Sequence, residues 1–319
     1  MSSQILKKPA PYIALILAHL IWGANFVVAK VTLQEFPPMS LALLRFAFAS
    51  LLLAPFFLAE TTHPSFGGKK VKIEKQDLPK LIAIGVLIIT LNITFFFEGI
   101  KRTTAINASI LSLAIPMLAV LSGWWFLKEK VRLVNLFGIA LGFIGATIII
   151  GLPQMINGGT TSSVILGNIL IILASISWVA GATISKKILK TYSSLTVTAI
   201  AFLVGTISFL IPAATEYVQD PTWINQITIL GILGLAYMTF LSSISAYFLF
   251  EWGLSKTSVI AADLFQYIEP FAATILAVSV LNETISTLFL LGASLIAIGV
   301  YLGTLAKEAH HRHHKAHRV

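Results

Sequence analysis

Two stretches of 22 residues decide the fold: ASILSLAIPMLAVLSGWWFLKE, residues 108–129, and ADLFQYIEPFAATILAVSVLNE, residues 262–283. In each stretch a proline is followed thirteen residues later by a glutamate, Pro116 by Glu129 and Pro270 by Glu283. The chain therefore contains an internal repeat with a separation of 154 positions. The same separation pairs Gly99 with Gly253, Thr103 with Thr257, Gly138 with Gly292 and Gly145 with Gly299, while Trp22 with Trp178 and Lys30 with Lys186 match at 156.

The composition indicates a membrane protein. Of 319 residues, 57% are hydrophobic and 11% are charged, and the mean hydropathy is +0.89. A soluble domain carries about 25% charged residues, so lipid is expected to solvate most of this surface. The first apolar run is too long for a signal peptide and lacks a clear cleavage site, so it is expected to remain as a span. Ten stretches reach the length of about 20 residues that a crossing needs: 11–31, 39–59, 78–98, 104–127, 131–152, 165–184, 195–215, 227–250, 259–280 and 287–305.

The distribution of Lys and Arg predicts the orientation. If the N-terminus is cytoplasmic, 18 of the 22 Lys and Arg residues lie in cytoplasmic segments, and only Lys101 and Arg102 lie outside. Lys30 and Arg45 fall within spans. Both termini are therefore expected in the cytoplasm, and the net charge of +9 is expected to face lipid headgroups rather than nucleic acid.

Five spans in each half mean that the second half enters the membrane from the opposite side. Inverted repeats of this kind are typical of secondary transporters, which bind substrate near the midplane between the repeats. The sequence thus predicts an all-α membrane protein with ten transmembrane helices in two inverted five-helix repeats. The predicted division is a first repeat over 1–152 with a cytoplasmic loop at 60–79, a second repeat over 153–306, and a basic, His-rich cytoplasmic tail over 307–319.

The paired prolines predict helix breaks at matching positions. A proline within a helix lacks the N–H that would bond to the carbonyl four residues earlier. Pro116 and Pro270 are therefore expected to free the carbonyls of Ser112 and Gln266 for a ligand. A packing kink without a ligand is the alternative.

The chain resembles the EamA-type members of the drug/metabolite transporter superfamily. The residues that carry the resemblance are WGANF at 22–26 with Lys30, Arg45, the run from Ala108 through Pro116 to Glu129, and Ile268-Glu269-Pro270 through to Glu283. The resemblance covers the chain except the 60–79 loop and the tail after 306. It implies a ten-helix inverted-repeat carrier without ATP use, with a cavity lined by helices 1, 3, 4, 6, 8 and 9. The second half departs from the pattern: Ala199 stands where a repeat of Arg45 would fall, and Val179 follows Trp178 where Gly23 follows Trp22.

The ninth span carries two carboxylates, Asp263 and Glu269, with Gln266 and Tyr267 between them. A charge at the bilayer centre costs at least about 2.5–3.5 kcal/mol. At a rise of about 1.5 Å per residue, Glu269 lies near the midplane and Asp263 nearer the cytoplasm. Glu269 is predicted to bind a proton, a cation or a substrate amine, and the alternative is a hydrogen bond that holds the fold. Asp263 is the second candidate for coupling.

The other candidates lie on the first, third and sixth spans. His19, Trp22, Phe26 and Lys30 follow helical spacing and share a face. Asn25 lies one position off that face and could bridge helices instead. Glu98 ends the third span on the outer side, and Arg45 is a candidate partner for it; such a pair is expected to be structural rather than substrate-binding. The predicted substrate-binding residues are His19, Trp22, Asn25, Asn92, Ser112, Trp178, Gln266 and Tyr267.

These features favour a carrier, more an exporter than an importer, for an amino acid or similar amine-bearing metabolite. An exporter of lipophilic or quaternary cations is the alternative, because carboxylates and Trp faces suit cations. His19 with Glu269 or Asp263 could form a catalytic pair, but no nucleophile motif accompanies them; a membrane scaffold is a further alternative.

Few partners are expected beyond the lipid bilayer and the small-molecule substrate. No nucleotide-binding loop occurs in the sequence, and neither a cofactor nor a resident metal is expected, although the five histidines of the tail leave metal binding open. Proton coupling and a homodimer also stay open.

Overall fold

The computed structural model describes residues 10–62, 73–127, 133–150, 161–257, 264–299 and 302. These ranges contain helices and turns but no β-strand. The helices are, in chain order, α1 (Ala10–Thr32), α2 (Pro38–Thr62), α3 (Leu78–Arg102), α4 (Ala105–Leu111), α5 (Ala114–Leu127), α6 (Leu133–Ile150), α7 (Ser162–Ile188), α8 (Ser194–Gln219), α9 (Ile229–Lys256), α10 (Ile268–Leu281) and α11 (Thr287–Gly299).

These helices account for ten membrane crossings. Six of them, α1–α3 and α7–α9, are long and apolar enough to cross a membrane individually. Shorter apolar helices supply the other crossings: α4 with α5, α6, α10 with the turn before it, and α11. The predicted all-α membrane fold with two inverted five-helix repeats is confirmed. The repeat boundaries stay a prediction, and the tail at 307–319 lies outside the described residues.

Several helices are longer than their predicted spans. The seventh span was expected over 195–215, and α8 runs from Ser194 to Gln219. Its first turn includes polar residues, because Ser193 Oγ caps the helix by accepting from the Thr196 N–H. The helix thus extends beyond the apolar run from which its span was predicted, because polar residues at its ends also adopt helical backbone.

The paired prolines do not kink continuous helices; each follows a short irregular stretch of backbone, and the prediction that needs correction is that of a free Ser112 carbonyl. Pro116 is the third residue of α5, and Pro270 is the third residue of α10. The N–H groups of the first helical turn have no carbonyl partner within the helix, so a proline there removes no hydrogen bond. The Ser112 carbonyl is not free either, because it accepts from the Ile115 N–H at 3.0 Å. The break lies before each proline, between α4 and α5 and in the 3₁₀ turn Leu264–Tyr267.

Two further irregularities occupy equivalent positions in α3 and α9. Each helix contains a π-helical segment, Gly85–Leu91 in α3 and Tyr237–Ser245 in α9. Adding 154 to the first segment gives 239–245, so the two segments overlap in the repeat. Such π-helical segments are rare in proteins, and many of those known lie at functional sites. Each repeat therefore has two irregular helices that face its partner repeat.

Lys30 on α1 and Lys186 on α7 hold equivalent positions and make equivalent contacts. Each ammonium donates to two backbone carbonyl oxygens at the C-terminal end of another helix, α3 or α9, where a cation is favourable. The acceptors are Ile100 and Thr103 for Lys30, and Leu254 and Thr257 for Lys186.

Helices α6 and α11 pack backbone to backbone at repeated glycines. A Cβ added to Gly145 would lie 2.5 Å from the Gly292 carbonyl oxygen, and one added to Gly299 would lie 2.5 Å from the Gly138 carbonyl oxygen. Small residues allow this close approach of membrane helices. Because Gly138 pairs with Gly292 and Gly145 with Gly299 in the repeat, the repeat symmetry maps this helix crossing onto itself.

Candidate functional site

A cavity of about 90 Å³ lies between the two repeats. This volume exceeds the roughly 10–15 Å³ that one water molecule needs, so the cavity can hold several waters or a small polar ligand. Both repeats contribute to its wall. The lining residues are Trp22, Asn25, Phe26, Arg45, Asn92, Ile93, Phe96, Ser112, Ile115, Ile171, Ala174, Ser175, Trp178, Ser242, Tyr247, Gln266 and Glu269.

Glu269 is the carboxylate of this cavity, and only 4% of its surface is exposed. Its Oε1 lies 2.7 Å from His19 Nδ1, and its Oε2 accepts from Gln266 Nε2 at 2.7 Å. The first turn of α10 positions Glu269, and α1 supplies His19 from the facing side. His19 is buried behind the cavity wall and reaches the cavity through this carboxylate.

An aromatic cluster surrounds Trp22. The Trp22 ring meets Trp178, Tyr247 and Phe250 with centroid separations of 5.3 Å each. The His19 ring packs edge-on against Trp22 at 5.5 Å. Trp22 Nε1 donates to the Ser242 carbonyl oxygen at 3.0 Å, so the indole is fixed to the π-helical segment of α9.

Arg45 lines the cavity and is 1% exposed. Its Nε donates to Ser243 Oγ at 2.6 Å, and its Nη2 donates to Ser242 Oγ at 3.1 Å. The predicted pair of Arg45 with Glu98 is wrong. Glu98 instead pairs with Arg102, one helical turn further along α3, because Arg45 faces α9 rather than the end of α3.

The predicted substrate-binding residues divide into two groups. Trp22, Asn25, Asn92, Ser112, Trp178 and Gln266 line the cavity, whereas His19 and Tyr267 do not. Asn92 Nδ2 donates to the Ala174 carbonyl oxygen at 2.9 Å, and Gln266 Nε2 lies 3.5 Å from Ser112 Oγ. Asp263 lies outside the described residues. The roles of all these residues stay predictions.

Sequence reasoning missed Arg45, Ser175, Ser242 and Tyr247 as cavity residues. Ser175 could have been found, because it is the counterpart of His19 at the separation of 156 residues that also relates Trp22 to Trp178. Ser242 belongs to the sequence LSSIS at 241–245, a polar interruption in an apolar span. No signal in the sequence joins Arg45 to the cavity, since the π-helical segment that receives it has no distinctive sequence.

A second buried carboxylate, Glu251, lies on α9 outside the cavity lining. Ser185 Oγ on α7 lies 3.1 Å from Glu251 Oε1 and 3.0 Å from Oε2. Glu251 is 3% exposed. It is thus held by a hydroxyl group from the neighbouring helix, close to the residue Lys186 that caps the end of α9.

A ten-helix membrane protein with inverted repeats and a polar cavity between them has the architecture of secondary transporters. Sequence comparison agrees with this class. The profile of the EamA-like transporter family matches residues 10–151 and 165–305. The chain belongs to this family.

Relatives extend over nearly the whole chain. An uncharacterized transporter of Archaeoglobus fulgidus is 32% identical over 302 residues, which cover 93% of this chain and 98% of the relative. A probable amino-acid metabolite efflux pump of Salmonella typhimurium is 28% identical and covers 90% of this chain and 92% of its own. A solved crystal structure with 16% identity and a TM-score of 0.63 covers 93% of this chain and 96% of its own. That last similarity supports the fold.

Proposed function

We propose that this protein is a secondary carrier that exports an amino acid or a similar amine-bearing metabolite across the cytoplasmic membrane. Both termini lie in the cytoplasm in this proposal, and proton exchange at Glu269 couples transport to the proton gradient. The observation that carries the proposal is the position of the Glu269 carboxylate, which lines a cavity between the inverted repeats.

The surroundings of Glu269 suit a group that changes its charge. A buried carboxylate in a membrane is favourable only with a partner, a proton or water. Helices α1 and α4 pack against α10. Along the described parts of these three helices, the other ionisable side chains are His19, which contacts Glu269, Tyr12 near the start of α1 and Lys30 at its far end. A proton or a substrate ammonium group can therefore neutralise Glu269 in turn.

Alternate neutralisation provides a mechanism for antiport. With substrate bound, the ammonium group balances Glu269; after substrate leaves to the outside, a proton takes its place and the empty carrier returns. Helices α4 and α10 both contact α1 and both begin or end at breaks near the cavity. These breaks are where the helices can pivot between inward-open and outward-open forms, as discontinuous helices do in other inverted-repeat carriers.

Two further observations support the choice of substrate and location. The Salmonella relative carries the name of an amino-acid metabolite efflux pump. The excess of Lys and Arg in the segments that share the side of the N-terminus is typical of cytoplasmic loops. Family membership favours transport over catalysis by the His19–Glu269 pair.

Export of lipophilic cations is the second candidate. The aromatic cluster around Trp22 offers ring faces to a cation. Arg45 on the wall of the same cavity counts against it, because a permanent positive charge repels a cationic substrate.

Purified protein in proteoliposomes tests the proposal. With a pH gradient imposed, labelled amino acids should accumulate on the acidic side as protons leave it, and an ionophore that collapses the gradient should stop accumulation. Counterflow with excess unlabelled compound separates a carrier from a scaffold or an enzyme. If accumulation does not depend on the pH gradient, transport is not coupled to protons and that part of the proposal fails.

A further inference from the structure

Two polar atoms in the wall of the cavity are buried without a hydrogen-bond partner. Among the described cavity-lining residues, they are Nη1 of Arg45 and Oδ1 of Asn25. The side chains are 1% and 6% exposed, respectively. One is a cationic donor and the other is a neutral acceptor. Buried groups of this kind cost free energy unless something bonds to them.

Arg45 is also a buried charge without an ion pair in the described part of the chain, where the ion pairs are His19–Glu269, Lys80–Asp77 and Arg102–Glu98. A guanidinium group does not lose its proton in proteins. Its Nε and Nη2 are held by Ser243 and Ser242, and the Phe46 ring lies 5.0 Å from its central carbon. These contacts fix the group but supply no negative charge.

We infer that Arg45 is the anion-binding subsite of the cavity and takes the carboxylate of a zwitterionic substrate, while Asn25 accepts a hydrogen bond from the ammonium group that Glu269 balances. The inference rests on the proposed function, because it takes this cavity as the substrate site. It narrows the substrate class from amine-bearing metabolites to free amino acids. The aromatic cluster then contacts the side chain of the amino acid.

The arrangement explains why Arg45 has no equivalent in the second repeat. The position 154 residues later is Ala199. A substrate with two unlike ends needs one cationic contact, not two. The serines that hold Arg45 belong to the π-helical segment of α9, which also binds the Trp22 indole through the Ser242 carbonyl oxygen. A single irregular segment thus positions both the anion-binding group and the aromatic wall.

The test compares each amino acid with its own carboxamide, which keeps the ammonium group and the side chain but lacks the charge on the carboxyl end. Probes are L-phenylalanine, L-leucine and L-threonine with their amides, measured as competitors of counterflow in proteoliposomes. For the wild type, an accepted acid should compete at least about tenfold better than its amide, since a charge-assisted hydrogen bond contributes about 1.5–3 kcal/mol.

Variants assign the preference to Arg45. Arg45→Gln should reduce the acid-to-amide ratio to near one, and Arg45→Lys should restore part of it. Asn25→Ala should weaken acid and amide alike and leave their ratio unchanged. Ser50→Ala is the matched control, because Ser50 lies on the same helix as Arg45 but bonds to Thr206 outside the cavity lining; its ratio should stay that of the wild type. Size-exclusion profiles in detergent confirm that each variant folds.

The outcomes separate this inference from the proposed function. If acid and amide compete equally in the wild type, or Arg45→Gln and Arg45→Lys both keep the ratio, Arg45 is structural and the inference fails while an amine carrier stands. If no acid of the panel competes, the inference also fails. If 3-phenylpropionate, which lacks the amine, competes as well as L-phenylalanine and the ratio still depends on Arg45, the anion subsite stands and the amine requirement of the proposed function fails.

Discussion

Trp22 and Trp178 occupy equivalent positions in the two repeats, and their rings meet nearly perpendicular with centroids 5.3 Å apart. Residues related by a two-fold axis touch each other only where they lie close to that axis. Ser112 and Gln266, 154 positions apart, also meet, with Ser112 Oγ 3.5 Å from Gln266 Nε2. The pseudo-two-fold axis between the repeats therefore passes through the cavity.

The charged groups of the cavity break this symmetry. Glu269 corresponds to Ile115, which also lines the cavity, and His19 corresponds to Ser175. The backbone breaks, tryptophans and glycine crossing repeat, whereas Arg45, Glu269 and His19 have no ionisable counterpart in the other repeat. The scaffold around the cavity is thus close to two-fold symmetric, whereas its charged groups are not.

Replacing either equivalent lysine should destabilise the protein by a similar amount. Lys30→Met and Lys186→Met each remove two hydrogen bonds from an ammonium group to terminal carbonyls. A loss on the order of 1–3 kcal/mol is expected, read as a lower Tm in detergent. The controls are Lys101→Met and Lys187→Met, at exposed neighbouring positions, and they should change Tm little. Unequal losses would contradict the equivalence of the two contacts.

Two glutamates connect α2 and α8 at opposite ends, and their loss should differ. Glu216 accepts from the N–H groups of Met39 and Ser40 at the start of α2. Glu60 accepts from the hydroxyls of Ser193 and Thr196 at the start of α8. Both carboxylates lie at a helix N-terminus, but only Glu216 bonds to backbone N–H groups that have no carbonyl partner within the helix. Glu216→Ala should therefore lower Tm more than Glu60→Ala, with losses of about 1–2 kcal/mol for the former. The reverse order would show that the N–H contacts contribute little.

The orientation can be tested with single cysteines, because the chain contains none. Asn225 is exposed in the 3₁₀ helix Pro221–Gln226, and Lys190 is exposed after α7. In intact cells, a membrane-impermeant maleimide should label Asn225→Cys but reach Lys190→Cys only after permeabilisation. Labelling of both in intact cells, or the reverse pattern, would contradict the orientation predicted from Lys and Arg.

The sequence predicts the ten crossings because each requires a long apolar run, and it predicts the inverted repeat because Pro116 and Pro270 recur with their glutamates. It does not predict the form of the helix breaks. A proline after a turn and a proline within a kinked helix look alike in sequence, so the carbonyl of Ser112 was wrongly expected to be free.

The cavity is predictable in part for a related physical reason. Depth along a straight helix placed Glu269 at the midplane, and helical spacing together with its partner Trp178 selected Trp22; both residues line the cavity. The same calculation placed Arg45 near the outer surface and paired it with Glu98. It failed because the contact with α9 depends on the local path of the π-helical segment, which follows from packing and not from hydropathy. His19 and Glu269 are 250 residues apart, and only the folded chain joins them.

Substitutions at Glu269 and His19 should have unequal and non-additive effects on transport. Glu269→Gln keeps the size of the side chain and can still hydrogen-bond to His19, but it cannot exchange a proton. It should abolish the pH dependence of transport and accumulation against a gradient, while the protein still folds. His19→Gln leaves the Glu269 carboxylate in place and removes the partner 2.7 Å from its Oε1; transport should slow and keep its pH dependence. Because both residues act through one carboxylate, the double variant should behave like Glu269→Gln alone, as coupled neighbours do.

Glu98→Gln is the matched control, since it removes a carboxylate that pairs with Arg102 away from the cavity, and its pH profile should equal that of the wild type. Rates are measured as proteoliposome exchange at acidic, neutral and alkaline pH. An unchanged pH profile in Glu269→Gln would make this residue structural and direct the search for the coupling group to Glu251, the other buried carboxylate among the described residues of the spans.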